Sequence, residues 1–286
     1  MSSTVGQQDL PSLTSEQQRY AIKTWRYLRL AMIALVIGLF TAVTYEIVRR
    51  GGHCWQTSIS AYYYTHAQAI FVGTLIAIGT CLVCLRGSTE LEDVLLNVAG
   101  MLAPVVALVP TPKVGACASL PGVPEDPTPN IENNVTALLV VGLVAFLLLA
   151  ALSWRRHQPT AARIGYGLAF ALWLGGGLWF LTSRPAFVAH AHDRAAYTMF
   201  GCMIAVAVVN AVGFKHKQND PNARNRYSAV AIAMISVPVL AVFGGKYRVL
   251  AAEIDAIVLF AIFWAIQTEE LWGEGVREPD TSLGNA

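Results

Sequence analysis

Charge is what this sequence has least of. Only 13% of its 286 residues are Asp, Glu, Lys or Arg, against 55% hydrophobic residues and a mean hydropathy of +0.50, whereas a soluble domain is typically about 25% charged. An ordinary soluble protein is excluded, and an integral membrane protein is the class that remains. Net charge is nearly absent as well: at +2 it leaves no basic excess for a nucleic-acid partner. There is no short apolar run followed by a small-residue cleavage site near the start, because Asp9, Glu16, Arg19, Lys23, Arg26 and Arg29 all precede the first apolar run. The first helix is therefore expected to be a retained span. The two halves share no sequence repeat, so an inverted-repeat transporter design has no direct support. The CxxC formed by Cys81 and Cys84 has no second CxxC or His pair beside it, and inside an apolar helix it reads as packing rather than as a redox or metal site.

What is present is a series of apolar segments near the length of about 20 residues that crosses a bilayer. They lie at roughly 30–49, 67–85, 93–110, 133–154, 164–182, 194–214, 227–244 and 249–268. The expected fold is all-α: a polytopic transmembrane helix bundle of about eight spans over residues 30–268. Residues 1–29 form a cytoplasmic tail and interfacial lead-in, and residues 269–286 a cytoplasmic tail. The third segment is the weakest, since it carries Asn97, Gly100 and Pro104. With the N-terminus inside, thirteen of the 20 Lys and Arg fall on the inner side and seven on the outer, which places both termini in the cytoplasm.

The stretch EIDAIVLFAIFWAIQTEE (Glu253–Glu270) sets two carboxylates, Glu253 and Asp255, at the start of an apolar helix. Charges inside a membrane-length segment are costly enough to mark a functional-site hypothesis. Two residues apart, they sit about 200° apart around a helix, so one faces the bundle while the other reaches the interface. In the eight-span topology they share the outer side with Tyr45, Glu46, Ser58, Ser60, Tyr62 to Tyr64, His66, His190, His192, Asp193, Lys246 and Arg248. His with carboxylate is zinc-ligand chemistry, and a metal-bound water at a membrane surface could attack a lipid ester, amide or phosphodiester. That reading takes Glu253, Asp255, His66 and Ser60 as catalytic and His190, His192 and Asp193 as metal ligands. The bland reading is also open: Asp193 as the N-cap of a helix, His66 and Tyr62 to Tyr64 as interface residues, Ser58 and Ser60 as turn formers, and Glu253 in a structural ion pair with Lys246, Arg248 or a His. Cys54 and Cys117 both fall in outer loops, where an oxidising compartment favours a disulfide. Ser88 or Thr89 in STELED caps helix 3, and Gln267, Glu269 and Glu270 read as a solvated helix end.

SISAYYYTHAQAIFVGTLIAIGTCL and ELEDVLLNVAGMLAPVVALVPT resemble a group of uncharacterised bacterial, chiefly actinobacterial, multi-pass membrane proteins; the likeness covers about a sixth of the chain and implies no known activity. More distantly, Ser and His near helix 2 with His and acidic residues near later helices are similar to the superfamily of alkaline ceramidases and progestin-type receptors, which would imply a seven-helix fold and a zinc site of three His and an Asp. That pattern sets Ser and His four residues apart and has an HxxxH on a late helix; here Ser60 and His66 are six apart and helix 8 has no His, so no ligand is carried over. Three functions follow as expectations: a metal-dependent, zinc-type lipid hydrolase or lipid-modifying enzyme; a proton- or cation-linked carrier using Glu46, Glu253 and Asp255; and a scaffold for a membrane-protein partner. The bilayer itself is the common partner, and a lipid is the substrate of the first function alone.

Overall fold

The structure is a computed structural model that describes residues 15–111, 126–153, 160–218, 225–241 and 245–273. The described residues form helices α1 (Ser15–Arg49), α2 (Gln68–Cys84), α3 (Glu90–Leu108), α4 (Thr128–Ser153), α5 (Thr160–Thr182), α6 (Arg184–Gln218), α7 (Arg226–Ala241) and α8 (Arg248–Glu270), with one 3-10 turn at Ser60–Tyr64. Each of the eight apolar segments is a helix. Six, namely α1, α3, α4, α5, α6 and α8, are long and apolar enough to cross a membrane, while α2 is a shorter apolar helix of 17 residues and α7 has 16.

Successive helices run antiparallel, and six of them close a ring in which α1 packs on α2, α2 on α3, α3 on α6, α6 on α7, α7 on α8 and α8 back on α1. The α4–α5 hairpin sits outside the ring against α3 and α6. The end where α1 finishes and α2 and α8 begin is here the cap end; the opposite one is the base.

Helix α3 reads as the weakest span because it belongs to the middle of the ring and not to the lipid. Its small residues Ala99, Ala103 and Ala107 are fully buried, which lets α2 and α6 approach on either side. The closest approach is glycine on glycine: a Cβ at Gly79 of α2 would lie 2.7 Å from the carbonyl oxygen of Gly100, and one at Gly100 would lie 2.6 Å from that of Gly79. Pro104 is tolerated in the helix interior because packed neighbours hold its broken turn.

Two expectations change. The lead-in at 19–29 is no separate surface segment but part of α1, whose 35 residues extend about 50 Å and outrun the hydrocarbon layer of about 30 Å. Helix α6 starts at Arg184, ten residues early, so Asp193 is a mid-helix residue and not an N-cap. Thr89 is the cap of α3, its Oγ1 accepting from the Glu92 backbone N–H at 3.1 Å.

Candidate site under the cap

At the end of α1 two consecutive glycines in the left-handed region, Gly51 (φ 69°) and Gly52 (φ 78°), turn the chain back over the ring. A side chain at either φ would be strained, so the reversal depends on glycine. Residues 54–67 then form a cap. Tyr62 Oη donates to the Cys54 carbonyl at 3.1 Å, Thr65 Oγ1 to the Tyr62 carbonyl at 2.8 Å, and Tyr64 Oη to the Thr111 carbonyl at 2.9 Å. Cys54 is disulfide-bonded, whereas Cys81, Cys84 and Cys202 are free; Cys117, the expected partner of Cys54, lies outside the described residues. Tyr62, Tyr63 and Tyr64 are not interface residues. They are buried together against α1, α2 and Leu250 of α8, and burial raises all three phenols above the usual value, Tyr64 to about 12.

Glu253 rises from α8 to meet the start of the 3-10 turn. One oxygen accepts the Ile59 backbone N–H and the other the Ser60 hydroxyl at 3.5 Å, with Ser58 and the Ser60 N–H also directed at the carboxylate. A carboxylate at bilayer depth is costly, and these N–H and O–H donors offset the cost without a counter-ion. Below it, inside the ring, lies a narrow, partly open cavity. The walls are apolar: Val36 and Leu39 of α1, Phe71, Ile78 and Leu82 of α2, Met199 and Met203 of α6, Ile257 and Phe260 of α8. Ser60, Thr74 and Glu253 are its polar lining residues, and no Lys, Arg or His among the described residues borders it.

The expected site residues therefore divide. Ser60 and Glu253 come together. Asp255 is exposed on the other side of α8, as its spacing requires. His66 faces neither; half-exposed, it meets the Glu46 carboxylate at 3.3 Å beside Arg49, while Arg50 Nε donates to Glu46 at 2.7 Å and Arg49 to its other oxygen at 3.1 Å. Glu46, 2% exposed, is thus a buried carboxylate fully paired with its own helix and with His66. His190 and Asp193 are exposed, while His192 is buried, its Nδ1–H donating to the Val109 carbonyl at 2.7 Å. Among the described residues, no three His, Cys, Asp or Glu side chains converge as metal ligands. Glu253 pairs with the cap and not with Lys246, Arg248 or a His; Lys246 instead lies over the Tyr247 ring, 5.4 Å from its centroid.

A second polar layer, at the base, escaped the sequence reading. Glu92 of α3 is 1% exposed and accepts from Asn210 of α6 at 2.8 Å, from Gln267 of α8 at 3.3 Å and from the Ser88 backbone N–H at 2.8 Å. Gln267 is not at a solvated end but 2% exposed, and Glu270 accepts from the Tyr227 hydroxyl. The signal that could have found this layer is Asn210, a lone amide in the apolar run AVAVVNAVGF, since a polar side chain in a span needs a partner across the helix interface.

Fold and site together define a helical membrane protein with an apolar cavity held under a hydrogen-bonded cap. No protein-family model, no curated protein and no solved structure matches the chain.

Proposed function

We propose that the chain is a multi-pass protein of the bacterial cell membrane, with both termini in the cytoplasm and the cap outward, that binds the apolar chain of a lipid-like molecule inside its helix ring. One observation carries this reading: an apolar cavity inside the ring ends on a carboxylate and hydroxyl pair, Glu253 and Ser60, that is secured by the cap backbone. Mostly apolar clefts with few convergent polar groups are the usual form of small-molecule sites.

The test is native mass spectrometry of the purified protein after detergent exchange. Wild type is expected to retain a lipid adduct. Ala196→Phe, which projects a ring into the cavity from α6, is expected to lose it while melting unchanged. A wild type without an adduct, or a variant that keeps it, refutes the reading.

A lipid-modifying enzyme is the second reading, favoured by the Ser60 hydroxyl directed at the Glu253 carboxylate, an arrangement in which the carboxylate could take the serine proton during attack on an ester. Release of fatty acid from a lipid ester, abolished by Ser60→Ala, would support it; no turnover by wild type would remove it.

A further inference from the structure

The cavity has one polar end, and the sign of that end limits what can occupy it. Along α2 the lining runs from Phe71 to Leu82, about 16 Å of helix, and along α8 from Glu253 to Phe260, about 10 Å. Glu253 and Ser60 lie at the top and Leu82, Met203 and Phe260 at the bottom, so a molecule with a head and a tail has one orientation available, with the head under the cap.

The head meets a carboxylate that no Lys, Arg or His among the described residues pairs with. Six basic groups of the cap end are engaged elsewhere: Arg49, Arg50 and His66 with Glu46, Arg184 with Glu132 at 3.0 Å, Arg194 over the Trp179 ring and Lys246 over the Tyr247 ring. A phosphate or carboxylate head would bring a negative charge into an apolar enclosure whose lining supplies no cation to pair with it. A head with an O–H or N–H meets acceptor oxygens instead. Of the carboxylate's about four lone-pair sites, the Ile59 N–H and the Ser60 hydroxyl hold two at hydrogen-bond distance, and the Ser60 oxygen is itself an acceptor.

We infer that the occupant is a single-chain amphiphile whose head donates a hydrogen bond and carries no negative charge, an alcohol or an amine and not an acid. The inference rests on the cavity reading above. Dodecanol, dodecylamine and dodecanoate share a tail whose extended length is of the order of the cavity's, and differ only in the head. Each is titrated by calorimetry into the purified protein, in wild type, Glu253→Gln and Ala196→Phe, at a pH where the acid is ionised and the amine protonated.

The expected result is 1:1 binding of the alcohol or the amine to wild type, about tenfold or more tighter than the acid. In Glu253→Gln the deficit of the acid shrinks to within about threefold, and in Ala196→Phe all binding is lost. Amine over alcohol, with the advantage erased in Glu253→Gln, assigns a cationic head; equal binding of the two assigns a hydroxyl head. Acid binding to wild type as tightly as the alcohol, or a deficit that persists in Glu253→Gln, overturns the inference and leaves the cavity reading standing. Failure of all three probes on wild type, or binding that Ala196→Phe leaves intact, removes the cavity reading itself. Melting of each variant is read in parallel, and an unfolded Ala196→Phe is replaced by the milder Ala196→Val, an unfolded Glu253→Gln by Ser60→Ala.

Discussion

Replacing Glu253 by alanine removes the side chain of α8 that hydrogen-bonds the cap, and leaves the apolar contact of Leu250 with the cap tyrosines. The Ile59 N–H and the Ser60 hydroxyl lose their acceptor, and Ser58 loses the carboxylate it faces. A hydrogen bond to a charged group contributes about 1.5–3 kcal/mol, and a backbone N–H left buried without a partner costs about 1–3 kcal/mol. Ser58 and Ser60 can turn to other acceptors, so the loss is dominated by Ile59, and about 3 kcal/mol is expected for Glu253→Ala. Glu253→Gln keeps one acceptor oxygen for the N–H and is expected to cost about half as much. The energy falls on the opening of the cap, because the ring is held by α1–α2, α2–α3 and α7–α8 packing that Glu253 does not touch. Hydrogen exchange by mass spectrometry in detergent reads it directly. Amides in peptides spanning residues 55–64 are expected to exchange about a hundredfold faster in Glu253→Ala and about tenfold faster in Glu253→Gln, with peptides of α3 and α6 unchanged. Equal protection in wild type and Glu253→Ala would show that the cap does not rest on this carboxylate.

Gly79→Val drives a Cβ into the Gly100 carbonyl at 2.7 Å and is expected to cost about 1–3 kcal/mol or more; Gly38→Ala, with nothing within 4 Å of the new Cβ, is the neutral control in the same melting assay. Asn210→Leu takes a donor from Glu92 and is expected to lower stability by about 1–3 kcal/mol, part of which Glu92→Leu in the same chain restores because the buried acceptor goes too; additive losses would argue against the network. His66→Ala, at a half-exposed pair, is expected to shift stability by less than about 1 kcal/mol and to leave amphiphile binding intact; loss of binding would return His66 to the site. Burial holds the Tyr64 phenol neutral with its value raised from 10.0 to about 12, so its contribution is present below pH 10 and lost as pH rises toward 12. Phenolate absorbance and cap exchange should both rise in that window, and Tyr64→Phe should remove part of the absorbance change.

The sequence by itself determined the class, the helices and their succession. Apolar runs of membrane length can satisfy their backbone only as helices, and all eight came out as helices near the places where the runs lie. Its spacing also set Glu253 and Asp255 on opposite sides of α8, because a helical turn is a local property. The pairing of α3 with α2 and α6 was not legible, since apolar faces in a membrane carry no marker of which neighbour they meet. Gly79 and Gly100 declare themselves only when their carbonyls come within 3 Å of where a side chain would be. The candidate site divided along the same line. Its residues were named from chemistry, but a carboxylate pairs with whatever donor the fold brings to it, and Glu253 met a backbone N–H where a cation was expected. Glu46 took the histidine and both arginines; Glu92, read as a helix start, became a buried layer across three helices. Position along the chain places a group in a helix and at a depth. Closure of the ring, which follows from packing over the whole molecule, placed Glu253 above the cavity and Asp255 outside it.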